Sequence, residues 1–291
     1  YAGRKKTALK LGVDVLPVFP RDTTDRNRTS PFAFTGNKFE FRMLGSSQSV
    51  SASNVVINTA VAKELDDFAT ELEAAEDFNT ALGELIRRVI KEHKRIIFNG
   101  NGYDDAWIKE AEGRGLLNLP TTPDCLPYYL LPKNIELFEK YGVYSEREMR
   151  SRYEIHLENY VKVLHIEAHT MVSMAQKDIV PAVLRYGREL ADTINSKQAA
   201  LGRGVCAAEK KLLIRINKLT ADLCHALDIL RRDLDRIDKK TTDPLATANA
   251  YRDTIVPAMD ALRDAADSLE VLVAKDLWPF PSYGDILFSV R

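Results

Sequence analysis

The sequence predicts an α+β protein that is mostly α-helical. Two observations carry that expectation. The run Asn37–Leu44 alternates apolar and polar residues as a half-buried strand does. The second half of the chain instead repeats its apolar residues at helical spacing. Leu212, Ile216, Leu219, Leu223, Leu227, Leu230, Leu234 and Ile237 cover 25 residues in seven steps, a period near 3.6.

Taken in order, residues 9–19 alternate loosely and carry β-branched side chains, which predicts an edge-type strand interrupted at Pro17. Residues 20–31 hold two prolines and several local side-chain acceptors and read as a polar loop. After the 37–44 strand comes a Gly/Ser-rich turn at 45–52. Helices are expected at 53–73 and 78–95, and a short one ending near Gly113–Gly115. Four prolines at 120, 123, 127 and 132 predict a loop crossing over residues 118–134. Ser145 and Glu148 form the S-x-x-E pattern of a capping box, opening a helix to about Leu201 with a kink at Pro181. A second long helix is expected over 207–239. A third runs over 243–277, capped by Asp243, started by Pro244 and kinked at Pro257. The leucine stripe suits the packing face of a helix bundle formed by these three. The expected divisions are 1–75, 76–134 and 135–291.

The chain has 291 residues, 45% of them apolar and 29% charged, with a formal net charge of −1. That is ordinary globular composition and gives no sign of a nucleic-acid partner. No apolar run approaches the roughly 20 residues of a membrane span, and Arg4, Lys5 and Lys6 precede only a short apolar stretch, so neither membrane nor signal peptide is expected. Three cysteines at 125, 206 and 224 without a C-x-x-C pattern fit a reducing compartment, and the cytoplasm is the expected location. Charge is concentrated at one end. Residues 1–42 hold nine Lys/Arg against four Asp/Glu, which suits either a solvated stretch or a pocket for phosphate or carboxylate.

On the 37–44 strand, residues two apart share a face. Lys38, Glu40 and Arg42 line one side, and Phe39, Phe41 and Met43 the other. The phenylalanine side is expected to face the core. The charged side is either solvated or a wet pocket, where Glu40 offers oxygens to a hard cation and Arg42 a fork to carboxylate or phosphoryl groups. Elsewhere, His165 and His169 lie four apart on a helix with His156 nearby, but the HExxH pattern is absent and a polar helix face is the favoured reading. Gly100 and Gly102 read as a turn, and Tyr128 with Tyr129 as a packed aromatic pair.

The segment DRNRTSPFAFTGNKFEFR at 25–42 resembles the late active-site strand of glutamine synthetases, and in its long form the type III branch. GSSQS at 45–49, NGYDDAW at 101–107, IVPAVLRY at 179–186 and the LWPFPSYGDILF tail are also similar to that branch. The resemblance implies the end of a glutamine synthetase catalytic β/α core followed by a long-helix C-terminal region. It implies a ligase making glutamine from glutamate, ammonia and ATP through γ-glutamyl phosphate, with Mg2+ or Mn2+ on the phosphates. It also implies a homo-oligomer of stacked rings with active sites shared between subunits. Glu40 matches a metal-ligating glutamate. Arg42 matches the arginine that handles the substrate carboxylate and the transferred phosphoryl group. Lys38 stands where better-known branches carry an arginine near the nucleotide. Arg28 matches the first arginine of the NRS or NRG pattern, with a catalytic and ATP-binding role. Those branches place a second arginine five residues on, where this chain has Ala33, and Arg26 is the candidate to take its place. The family's other metal ligands and its flap cannot be placed in residues 1–24. A fragment inactive on its own is therefore expected. The rival expectation is a non-catalytic helical interaction module that retains a ligase-derived strand.

Overall fold

The computed structural model describes residues 8–9, 19–20, 32–34, 39–42, 49–98, 100–237 and 243–288. They are mostly helical, with two small antiparallel strand pairs. Two compact units divide the chain: residues 1–119 with 137–143, and residues 120–136 with 144–291.

The first unit holds the strands. β1 (Ala8–Leu9) pairs antiparallel with β2 (Phe19–Pro20), so the ends of the expected 9–19 strand face one another instead of forming one run. β3 (Phe32–Phe34) pairs with β4 (Phe39–Phe41), with Ala33 opposite Glu40. The remainder of the expected 37–44 strand, apart from Arg42, lies outside the described residues. α1 (Val50–Glu73) begins three residues before its expected start because the Ser49 hydroxyl accepts from the backbone N–H of Ser51 and caps it. α2 (Phe78–His93) is capped by Asp77, whose carboxylate accepts from the N–H groups of Asn79 and Thr80. α3 (Asp105–Gly113) starts at the Asp104 cap. Arg114, just past α3, donates to the carbonyl oxygens of Arg95 (3.2 Å) and Ile97 (2.9 Å). Its guanidinium lies 5.2 Å from the Trp107 ring, which stacks on Phe98 at 3.7 Å. Lys140 and Tyr141 both donate to Asp66 of α1, and those two hydrogen bonds hold its carboxyl below the usual carboxylate range.

The proline-rich segment is helical, contrary to the loop expected there. α4 (Thr122–Tyr129) and α5 (Pro132–Lys140) occupy it. Pro123 and Pro132 sit at the beginning of their helices, where the missing N–H would have had no intrahelical partner.

The second unit is built on long helices. α6 (Glu146–Met174) opens with the expected capping box, Ser145 and Glu148 each accepting from the other's backbone N–H. A five-residue π-turn, Ala175–Ile179, joins it to α7 (Val180–Leu201). α8 (Ala207–Ile237) follows. α9 (Pro244–Ala250), capped by Asp243, passes through a second π-turn, Tyr251–Ile255, into α10 (Val256–Glu270). Each expected kink is thus a π-turn lying just before a proline, Pro181 or Pro257. A proline removes one N–H and crowds the carbonyl four residues back, and a wider turn is one way to relieve both. The first and last residues of both π-turns, Ala175 and Ile179, Tyr251 and Ile255, are buried. The third helix ends at Glu270, not near Leu277, and Leu277 lies in a turn. A short α11 (Tyr283–Leu287) with its own capping box forms part of the tail.

The leucine stripe is the core. Leu223 and Leu230 are fully buried, Ile216 and Leu234 nearly so, and Leu212 and Leu219 pack against the same cluster. α8 packs on α7 and α10, and Val183, Ile255, Leu262 and Leu269 meet the stripe. A smaller cluster, Leu126, Leu157 and Ala248, joins α4, α6 and α9, and an Arg252–Asp124 ion pair lies in the same region. Among the described residues, no helix is long and apolar enough to cross a membrane.

Candidate active-site strand

The β3–β4 pair places two of the five candidate site residues. Arg26, Arg28 and Lys38 lie outside the described residues. Glu40 sits in the middle of β4, and Arg42 follows directly after it. The two-residue spacing brings both side chains to one face. The guanidinium of Arg42 donates from Nη2 at 2.9 Å and from Nε at 3.2 Å, and both bonds end on Oε2 of Glu40. The pair is only partly covered, with Arg42 28% and Glu40 39% exposed.

The two faces of the hairpin differ from expectation. Ala33, the cross-strand partner of Glu40, is 1% exposed, so the covered face is the one that carries the charges. Phe39 and Phe41, expected in the core, are exposed, as is Phe32. Phe32 stacks on Phe39 with ring centroids 5.2 Å apart and tilts against Phe41 at 6.5 Å. Alternation separated the two faces correctly but could not say which one would be covered. Met43 lies outside the described residues. Ala33 is also the position where the resemblance led to a missing arginine. Arg42 pairs with Glu40 from along the strand, and Ala33 stands opposite it.

A divalent cation of the kind expected from the resemblance prefers oxygen ligands, and the partly exposed carboxylate of Glu40 fits as one of them. Among the described residues, no group of three or more His, Cys, Asp or Glu side chains gathers to hold a metal. Glu40 would therefore be one member of a set completed elsewhere. His165 and His169 stand edge to face at 4.4 Å, and Nδ1 of His165 lies 2.9 Å from the hydroxyl of Tyr251. That buried tyrosine had no signal in the sequence, because its partner lies 86 residues away.

Residues 81–198 match the sequence model of the family described as glutamine synthetase C-terminal domain. The chain is 39% identical over 275 residues to a glutamine synthetase of Butyrivibrio fibrisolvens, covering 94% of this chain and 39% of the relative. It is 35% identical over 287 residues to a type-3 glutamine synthetase of Dictyostelium discoideum, covering 96% of this chain and 39% of that protein. A glutamine synthetase of Bacteroides fragilis (strain YCH46) is 34% identical over 295 residues, with 98% and 40% covered. The chain thus spans about two fifths of the length of the relatives it matches. The chain belongs to the glutamine synthetase family, and it corresponds to a C-terminal part of the type III branch.

Proposed function

We propose that this chain is the C-terminal portion of an ATP-dependent glutamate–ammonia ligase, and that its first 75 residues end the catalytic core while residues 135–291 form a helical C-terminal domain, with 76–134 connecting them. The observation that carries this reading is the Glu40–Arg42 pair on one face of β4, inside the run that resembles the family's active-site strand. The names of the relatives support the reaction class.

In this reading glutamate is phosphorylated by ATP on its γ-carboxylate, and ammonia then displaces phosphate. Catalysis is mainly positioning and charge stabilisation. Glu40 contributes an oxygen ligand to a Mg2+ or Mn2+ ion, which when bound neutralises phosphate charge. Arg42 presents a planar fork to the substrate carboxylate and to the phosphoryl group in transfer. Arg26, Arg28 and Lys38 supply positive charge to ATP, with Lys38 acting as a point charge. The enzyme works as a cytoplasmic homo-oligomer of stacked rings that shares active sites between subunits.

The test is Glu40→Ala in the complete enzyme. We expect kcat to fall by about a hundredfold or more, as loss of transition-state electrostatics does, with the fold intact. A variant that folds normally and keeps near-full kcat at saturating metal and glutamate would show that Glu40 is not a catalytic metal ligand; the rival reading, a non-catalytic helical interaction module that retains a ligase-derived strand, would hold if the sequence preceding this chain lacked the remaining metal ligands.

A further inference from the structure

We propose that Asn101 is a self-modification site: its side-chain amide closes onto the backbone nitrogen of Gly102, releases ammonia and ends as aspartate or isoaspartate. The sequence holds two Asn-Gly pairs, 99–100 and 101–102, and Asn99 lies outside the described residues. Asn101 is exposed, so water reaches it. Its Oδ1 accepts a hydrogen bond from the backbone N–H of Tyr103 at 3.1 Å. The ring of atoms closed by that bond contains both Cγ of Asn101 and the nitrogen of Gly102, so the amide is folded back over the peptide that follows it. Gly102 has no Cβ to obstruct the approach.

The chemistry follows from that geometry. The Gly102 nitrogen loses its proton to solvent base and forms a bond to Cγ. Negative charge grows on Oδ1, where the Tyr103 N–H already points, a donor in place before the reaction. The bond from Cγ to the side-chain nitrogen then breaks, that nitrogen takes a proton from water and leaves as ammonia, and a cyclic succinimide remains. Water adds to either of its carbonyls. Opening on one side gives aspartate, and on the other isoaspartate. This turn carries the start of α3. The Asn101 carbonyl accepts from the Asp104 N–H at 3.3 Å, and Asp104 caps α3 through the N–H of Ala106 at 2.9 Å. Trp107, which donates from its N–H to the Asp104 carbonyl, stacks on Phe98. In isoaspartate the Asn101 carbonyl becomes part of a free carboxylate and the chain runs through the former side chain. The turn loses its geometry, and the first turn of α3 loosens.

The experiment ages the complete enzyme under warm, mildly alkaline conditions, which favour loss of the Gly102 proton. Fragmentation mass spectrometry then reads the tryptic peptide 96–109, which carries both asparagines. Conversion at Asn101 should exceed that at every asparagine not followed by glycine, and Gly102→Ala should suppress it. Tyr103→Pro removes the N–H donor and should slow conversion by about threefold to tenfold, the scale of one hydrogen bond. Tyr103→Ala keeps the N–H and should leave the rate unchanged. Aged protein should exchange amide hydrogens faster over residues 104–109 than fresh protein, and aged Gly102→Ala should not. Background conversion at Asn101, or conversion at Asn99 alone, overturns the site. An unchanged rate in Tyr103→Pro overturns the role of the donor, and unchanged exchange after full conversion overturns the effect on α3.

Discussion

The hydroxyl of Tyr251 lies 2.9 Å from Nδ1 of His165, tying the first residue of a π-turn to the middle of α6. Tyr251 is 1% exposed, so its hydroxyl has been taken out of water and depends on partners inside the protein. Tyr251→Phe should therefore destabilise the helical unit by about 1–2 kcal/mol, and Tyr251→Ala by about 3–5 kcal/mol through the cavity it leaves. Urea unfolding followed by circular dichroism measures both. Equal stability of the phenylalanine variant would show that the hydrogen bond contributes nothing.

The same contact bears on the histidine pair. His165 already engages one ring nitrogen with Tyr251, so a cation shared with His169 would have to work from the other nitrogen without a third acidic, His or Cys ligand among the described residues. Added Zn2+ should leave the thermal midpoint unchanged, in the original protein and in His169→Ala alike. A Zn2+-dependent rise that His169→Ala removes would establish a site.

Leu223 is fully buried in the middle of α8, in the cluster that joins α7, α8 and α10. Leu223→Ala should cost about 2–5 kcal/mol, the spread reflecting how far the neighbours close on the gap. A change below about 0.5 kcal/mol would put the stripe on a surface.

How much of this was legible in the sequence varies by element. Ser145 with Glu148, and the 3.6-residue spacing of the leucines, each carry a local cause of structure, and both helices appear where expected. Pro181 and Pro257 announced disturbances, but a sequence does not show that a helix can absorb a proline through a π-turn. Pro123 and Pro132 were misread because proline starts a helix readily, and the short α4 also carries Pro127 inside it. At the site, alternation put Glu40 and Arg42 on one face, and they do meet. Which face is covered depends on what packs over the hairpin, and strand periodicity does not encode that. The chemistry came from likeness to a family, since a bare Lys-x-Glu-x-Arg strand suits plain solvation equally well.

Arg114 offers a test in the first unit. Its Nη1 serves two carbonyl oxygens, those of Arg95 and Ile97, while the guanidinium plane covers Trp107. Arg114→Lys keeps a cation there but cannot reproduce the planar fork. We expect faster amide hydrogen exchange over residues 94–98 and 105–114 in Arg114→Lys, and faster still in Arg114→Ala. Unchanged exchange in both variants would show that the stacked Phe98–Trp107 pair alone holds this turn.

The last prediction concerns residues 1–291 as an isolated protein. A hard cation needs six or more oxygen ligands, and a phosphoryl-transfer site usually fixes it through more than one carboxylate. Upstream of Glu40 the sequence contains neither a glutamate nor a histidine, and the acidic residues there are Asp14, Asp22 and Asp25. Among the described residues no further acidic or histidine side chains assemble into a three-membered site. One carboxylate leaves a cation mostly hydrated and poorly placed, so Arg42 would have no oriented phosphoryl group to stabilise. The relatives, whose length this chain covers by only about two fifths, have ample sequence from which the remaining ligands could come. The isolated chain should therefore show γ-glutamyl transfer at least about a thousandfold below that of a complete synthetase, since losing most of a positioned electrostatic site costs more than losing one group of it. The assay uses glutamine and hydroxylamine with Mn2+ and nucleotide present. Circular dichroism on the same sample checks that the helical unit is folded. A well-folded chain with turnover near that of the complete enzyme would mean that residues 1–291 contain a full set of ligands, and that Glu40 has partners within this sequence.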